Sequence, residues 1–66
     1  MRLEGRRMNA KAIFRIALRH RIWRVTLDGA FFGDYRSKQH AQESAREASS
    51  ALAAAGREAS IVVVAD

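Results

Sequence analysis

Residues 23–35 read WRVTLDGAFFGDY, and this stretch decides the fold of the chain. Its first five residues alternate large apolar with polar side chains, which is the period of a β-strand that buries one face. Asp28-Gly29 is typical of a type I′ turn, in which both central residues have positive φ. Residues 31–35 predict the return strand, with Gly33 marking a β-bulge or a close packing contact. The stretch is therefore predicted to be a β-hairpin.

The segment after this hairpin predicts a helix. Ser37 is the candidate N-cap, because its hydroxyl can accept a hydrogen bond from a free backbone N–H of the first turn. The range 38–55 contains no Gly or Pro, and Gly56 is placed to end the helix in a left-handed conformation. Small apolar residues recur at helical spacing and predict the face that packs on the sheet. They are Ala41, Ala45, Ala48, Leu52 and Ala55.

The segment before the hairpin admits two interpretations. In residues 12–19, Phe14, Ile16 and Leu18 alternate with Arg15, Ala17 and Arg19, and the β-branched and aromatic content favours a strand. A helix capped by Asn9 is the alternative. Residues 18–21 contain no Gly, Asn or Pro, so a bend or irregular loop is as compatible with this sequence as a tight hairpin.

The last apolar run predicts a fourth strand. Residues 61–65 are uninterrupted apolar residues, a pattern typical of burial on both faces. The predicted fold is a single small α+β domain with the order β-β-β-α-β, in which an antiparallel β-meander carries one Ala-faced helix on one sheet face. We expect the domain to span residues 12–66, preceded by a flexible basic arm over residues 1–11.

Composition excludes several classes of protein. The chain has 66 residues and no cysteine, which removes disulfides and thiolate metal sites together. No apolar run approaches the roughly 20 residues that span a bilayer, and no hydrophobic segment follows the first arginines as in a signal peptide. The sequence therefore predicts a cytoplasmic, bacterial-type protein without a membrane partner.

No catalytic constellation is visible. His20 lies among arginines, and His40 lies in the first turn of the predicted helix. Neither has a carboxylate cluster nearby, and no Gly-rich phosphate loop occurs. We therefore predict a protein that is not an enzyme, with no catalytic residue, metal, cofactor or small-molecule substrate.

The charge is distributed unevenly along the chain. Residues 1–27 carry eight Lys and Arg against Glu4 alone, a balance of +7, whereas residues 28–66 carry four against six acidic groups, a balance of −2. Such asymmetry favours a nucleic acid, an anionic surface or an acidic partner. An ordinary solvated surface is the alternative, because charge alone is not specific.

Alternation assigns side chains to the two sheet faces. We expect one face to pack under the helix through Phe14, Leu18, Trp23, Val25, Leu27 and one of Phe31 or Phe32. The other face is predicted to combine arginines with aliphatics, joined by an aromatic, Phe31 or Tyr35, according to register. Its members are Ile13, Arg15, Ala17, Arg19, Ile22, Arg24, Thr26, Val62 and Val64.

This uncovered face supports two functional predictions. The first is a nucleic-acid-binding module, with phosphates contacted by the strand arginines and by the arm; its residues are Arg15, Arg19, Arg21 and Arg24, with Arg2, Arg6, Arg7 and Lys11. The second is a homodimeric protein-interaction module, in which the uncovered face and the Val-rich last strand form the interface. Its residues are Ile13, Ile22, Val62 and Val64.

The order of motifs resembles a family of small bacterial domains of unknown function. Members read approximately W-x-V…G…(S/T)-K-x-x-A…A…A, followed by a short strand. The matching positions are Trp23, Val25, Gly29, Tyr35, Ser37, Lys38, Ala41, Ala45 and Ala48. The resemblance covers residues 13–65 and implies the order β-β-β-α-β. This chain departs from the pattern in its arginine-rich first strand and in ending where members often continue, and the resemblance assigns no functional residue.

Overall fold

The computed structural model describes residues 11–64. Four strands and one helix follow the predicted order, and they form one small α+β domain. They are β1 (Ala12–Arg19), β2 (Ile22–Leu27), β3 (Ala30–Tyr35), α1 (Lys38–Ala54) and β4 (Ala59–Val64). The strands form a single sheet in the order β3-β2-β1-β4. Because β1 pairs antiparallel with β2 but parallel with β4, the sheet is mixed.

The ambiguous first segment is a strand. Phe14 and Ile16 are completely buried, whereas Ile13 and Arg15 are exposed. β1 pairs with a strand on each side and contributes both of these buried side chains to the core. Its pairing and burial therefore reinforce its β-propensity. The alternative of a helix capped by Asn9 is therefore wrong.

The connection from β1 to β2 is a tight two-residue turn. Arg19 pairs with Ile22, and the two residues between them, His20 and Arg21, have φ values of 50° and 69°. Left-handed backbone costs roughly 1–2 kcal/mol for each residue that carries a Cβ. The sequence of this turn lacks the Asn-Gly pair that is typical of two-residue hairpin turns. A bend and a tight hairpin were therefore equally compatible with it.

The second hairpin has the predicted turn and the predicted bulge. Asp28 and Gly29 have φ values of 52° and 88°, as a type I′ turn requires. The β2–β3 register shifts by one residue, so that Val25 pairs with Gly33. A Cβ on Gly33 would lie 2.6 Å from the Tyr35 hydroxyl oxygen. Gly33 therefore marks both a bulge and a close packing contact.

Both ends of α1 are capped as predicted. The Ser37 hydroxyl accepts a hydrogen bond from the His40 backbone N–H at 3.1 Å. At the other end Gly56 has φ of 94°, and the Arg57 N–H donates to the Leu52 carbonyl at 2.8 Å, as in a Schellman motif. The helix ends at Ala54, one residue earlier than predicted, because Ala55 is the C-cap.

The core lies between α1 and one sheet face. Ala41 and Ala45 of the helix are completely buried against large strand side chains. Small helix residues let the helix axis approach the sheet, so the strands supply most of the volume. Of the two adjacent phenylalanines, Phe32 contacts the core: its ring meets the Phe14 ring edge-to-face at 5.5 Å, although Phe32 itself is 38% exposed.

The last strand is buried on only one of its faces. Ile61 and Val63 pack against the core, but Val62 is 43% exposed. The prediction of burial on both faces was wrong. A single helix can cover only one face of the sheet, and β4 lies at the sheet edge.

The predicted arm lies almost wholly outside the described residues. Of residues 1–11 the structure describes only Lys11, which is exposed immediately before β1. Within residues 11–64, no helix has the length and apolar character needed to cross a membrane.

Candidate functional site: the open sheet face

The sheet face opposite α1, here called the open face, is uncovered in the described chain. Alternation along each strand and the pairing register determine which side chains lie on it. Its members are Ile13, Arg15, Ala17 and Arg19 of β1, Ile22, Arg24 and Thr26 of β2, Phe31 and Asp34 of β3, and Ser60, Val62 and Val64 of β4. The nine positions predicted for this face all lie on it.

Three arginines form the positive centre of the open face. Arg15 and Arg19 lie on β1 opposite Thr26 and Ile22, and Arg24 lies on β2 between those two partners. Arg24 is therefore diagonal to both β1 arginines, a placement that separates residues by about 7–8 Å. The pairing of β1 with β2 thus brings together on one face three arginines that are spread over residues 15–24 of the sequence.

Arg24 is held by a carboxylate from the neighbouring strand. Its Nε donates to Asp34 Oδ1 at 2.9 Å, and its Nη2 donates to Asp34 Oδ2 at 3.3 Å. These hydrogen bonds, with the attraction of the guanidinium, lower the pKa of Asp34, and Asp34 raises the pKa of Arg24 in turn. Both side chains are largely exposed, so the pair orients Arg24 more than it stabilises the fold.

The two β1 arginines have no such partner. Within residues 11–64, neither ion pair involves Arg15 or Arg19, and both side chains are exposed. Asp34 is the single carboxylate among the described strand residues of the open face. Three guanidinium groups against one carboxylate leave this face positively charged.

Phe31 supplies an exposed aromatic ring beside this charge. It is 64% exposed, and the Arg24 guanidinium carbon lies 5.3 Å from its ring centroid. Tyr35 was the other aromatic considered for this face, but it packs against the core. The open face therefore presents Phe31 and not Tyr35.

A shallow concavity lies at the end of the open face that carries the first turn. It encloses about 330 Å³ and is lined by Arg19, His20, Ile22, Arg24 and Asp34. Two of these side chains are guanidinium groups, one is an imidazole and one is a carboxylate. A small anionic group would meet donors from two strands and the turn between them.

The remaining predicted site residues are only partly assembled by the fold. Arg21 is exposed in the β1–β2 turn and Lys11 is exposed before β1, whereas Arg2, Arg6 and Arg7 lie outside the described residues. The four residues predicted for a dimer interface share the open face; Ile13 and Val62 are exposed, and Ile22 and Val64 are half-buried.

Asp34 was not among the residues that the sequence predicted for this face. Counting outward from the two-residue turn at Asp28-Gly29 places Gly33 opposite Arg24. The bulge inserts one residue into β3 and brings Asp34 there instead. Gly33 was the available signal, but its effect on register could not be read from the sequence.

The sequence also predicted only a turn position for Asp28 and no tertiary contact. Its Oδ1 accepts from the Ile13 backbone N–H at 2.9 Å, and its Oδ2 accepts from Arg57 Nη2 at 2.8 Å. The Ile13 and Arg57 hydrogen bonds lower the pKa of Asp28. The residue therefore forms tertiary contacts besides occupying the turn.

Residues 11–64 contain no group of three or more His, Asp or Glu side chains that could hold a metal ion.

Comparison of the chain with protein-family models, with curated proteins and with solved structures finds no match. The resemblance to a bacterial domain family stays a prediction. The site must be interpreted from its own chemistry.

Proposed function

We propose that this protein is a non-enzymatic nucleic-acid-binding module that uses the open face. The observation that carries the proposal is the pair Arg15 and Arg19, exposed on an inner strand without an ion-pair partner in residues 11–64. Guanidinium groups donate bidentate hydrogen bonds to phosphate, and the phosphate backbone supplies most of the affinity in such complexes. Arg21 and Lys11 are exposed and add positive charge near this face, and in this proposal Arg6 and Arg7, outside the described residues, also contact phosphate.

The placement of these arginines also argues against burying the open face in a second copy of the chain. Arg15 and Arg19 lie on β1, which has a neighbour on each side. Face-to-face packing would bring the arginines of both copies together with too few carboxylates to pair them. Buried charges without partners are strongly destabilising. A polyanion, in contrast, neutralises them while leaving part of the surface hydrated.

Replacing both arginines of β1 tests the proposal. Arg15→Gln with Arg19→Gln should weaken binding to a labelled oligonucleotide roughly 10- to 100-fold at low salt, because two charge-assisted contacts are lost. The dependence of log K on log salt should also become shallower, by about 1.4 for a single strand or about 1.8 for a duplex. Mobility shift and fluorescence anisotropy at two salt concentrations measure both effects.

The matched control removes the same charge from the helix. Lys38 and Arg46 are exposed on α1, so Lys38→Gln with Arg46→Gln reduces the net charge equally but leaves the open face intact. Binding by this control should stay within about threefold of the wild type. If the two double variants weaken binding equally, net charge alone accounts for it. If the wild type binds neither DNA nor RNA at low salt, the proposal is rejected.

A second candidate function is favoured by the edge strand β4. This six-residue strand pairs only with β1 among the described elements and carries no charged residue or proline that would block pairing along its other edge. Antiparallel pairing of two β4 strands across a two-fold axis would make a continuous eight-stranded sheet from two copies. The homodimer proposed here uses this edge, with Val62 contacting the partner copy.

Sedimentation at low micromolar concentration tests this homodimer. The wild type should sediment as a dimer, and Val62→Lys should shift it to monomer, because like charges then face each other across the new strand pair. Thr26→Lys is the control, since it adds the same charge to the open face on β2, away from the edge. A monomeric wild type would reject the edge-paired dimer.

A further inference from the structure

Phe31 has an exposure that packing does not explain. Its neighbour Phe32 contacts the Phe14 ring and is 38% exposed, whereas Phe31 lies on the face away from the helix and is 64% exposed. A single exposed apolar side chain is common on protein surfaces, but this ring also lies beside the guanidinium of Arg24. Bases of single-stranded nucleic acids stack on such rings, and each stacked base contributes substantially to affinity.

We infer that the ligand of the open face is a single-stranded nucleic acid, and that one of its bases stacks on Phe31. This inference rests on the proposed function and specifies its ligand class. It requires three properties of the site: an accessible ring, an oriented cation beside the ring, and a nearby position for the backbone phosphate.

The ring and the cation are oriented before any ligand binds. Asp34 receives two hydrogen bonds from the Arg24 guanidinium, and that guanidinium lies 5.3 Å from the Phe31 centroid. This pair orients Arg24 beside the ring. A base on Phe31 also meets the flat guanidinium, which stacks on π-systems as well as bonding to phosphate.

The phosphate position lies on the other side of Arg24. The concavity of about 330 Å³ is lined by Arg24 and Asp34 together with Arg19 and His20. Arg24 therefore borders both the ring and the concavity, so adjacent parts of one nucleotide chain can occupy them. In this arrangement Arg19 contacts phosphate and Phe31 contacts the base.

The width of the sheet favours a single strand over a duplex. Four strands place the outer strand axes about 14 Å apart, at a spacing of about 4.8 Å. The major groove of B-DNA is about 12 Å wide and accepts a helix or a two-stranded ribbon. A flat four-stranded face would remain outside the groove, where it meets phosphates but no bases. Phe31 then has nothing to stack on in a duplex.

Phe31→Ala is the central variant of the test. Anisotropy is measured with labelled strands of about 12 nucleotides, a length within the site sizes of single-strand-binding folds. The probes are a mixed-sequence DNA strand, the same sequence as RNA, its DNA duplex, and an abasic strand with the same number of phosphates. Phe31→Ala should weaken binding to the base-bearing single strands roughly 5- to 150-fold, with no change for the abasic strand.

Two further variants separate stacking from general apolar contact. Phe31→Tyr keeps the ring and should restore binding to within about threefold of the wild type. Val62→Ala removes an exposed apolar side chain at the opposite edge of the same face, about 14 Å from the strand that carries Phe31, and should weaken binding much less than Phe31→Ala does. Comparison of the RNA and DNA strands shows which of them binds more tightly, and a preference for either one supports the inference.

The outcomes distinguish this inference from the proposed function. If the wild type binds the abasic strand or the duplex as tightly as the base-bearing strand, and Phe31→Ala changes nothing, the stacking inference is overturned while nucleic-acid binding stands. If no probe binds at low salt, the proposed function itself fails. Equal losses in Phe31→Ala and Val62→Ala would attribute the effect to nonspecific apolar contact and would also overturn the inference.

Discussion

Phe14→Ala is expected to lower the free energy of unfolding by about 3–5 kcal/mol. Phe14 is completely buried in the middle of the core and its ring contacts the Phe32 ring edge-to-face. Its removal leaves a cavity that the surrounding strands cannot close, because β1 is fixed by neighbours on both sides. At roughly 0.05–0.15 kcal/mol per residue, the whole chain has about 3–10 kcal/mol of stability. The loss should therefore amount to at least about 30% of the stability of the chain, and it equals or exceeds the whole at the lower end of this range.

Urea unfolding followed by Trp23 fluorescence measures this loss, since Trp23 is the one tryptophan and packs against the core. Phe31→Ala is the matched control, because it makes the same substitution at a ring that is 64% exposed. The control should lose no more than about 1 kcal/mol, from its contact with Arg24. Equal losses at the two positions would mean that Phe14 is not the centre of the core. The control also verifies that the stacking variant is folded.

Ala45→Leu is expected to destabilise the protein by about 1–3 kcal/mol even though leucine is a good helix former. Ala45 is completely buried where α1 crosses the sheet, among side chains that include Phe14 and Val25. A larger side chain there must push the helix away from the sheet or force strand side chains out of their rotamers. The close approach of α1 to the sheet depends on the small size of this residue.

Ala51→Leu provides the comparison on the exposed side of the same helix. It makes the same chemical change without entering the core and should alter the free energy of unfolding by less than about 0.5 kcal/mol. Urea midpoints of the two variants under identical conditions give the difference. If Ala45→Leu is as stable as Ala51→Leu, the helix is not in close contact with the sheet at this position.

The elements that the sequence predicts well are those with local signals. Asp28-Gly29, the Ser37 cap and Gly56 each act through a few adjacent atoms, and the structure contains all three. The conformation of the turn at His20 and Arg21 was not predicted, because neither left-handed position is occupied by Gly, Asn or Asp. The burial of β4 was overestimated because the sequence of one strand does not show whether other elements cover one or both faces of its sheet.

The candidate site follows the same division. Alternation alone places Arg15 and Arg19 on the face away from the helix, because strand period is a local property. The contacts of Arg24 with Asp34 and Phe31 depend on the register between β2 and β3, which one bulge changes. Long-range pairing of this kind comes from how the whole sheet packs, and the sequence specifies it only indirectly.

Asp28 connects the starting points of two strands that are far apart in sequence. One carboxylate oxygen accepts from Ile13, the second residue of β1, and the other accepts from Arg57, two residues before β4. These strands lie side by side and parallel, with Ala12 opposite Ala59. A slip of β4 by one residue would turn Ile61 and Val63 toward solvent and also move Arg57 away from Asp28. Asparagine would suit the turn as well as aspartate, but its single acceptor oxygen would not reproduce the connection between Ile13 and Arg57 that the two carboxylate oxygens make.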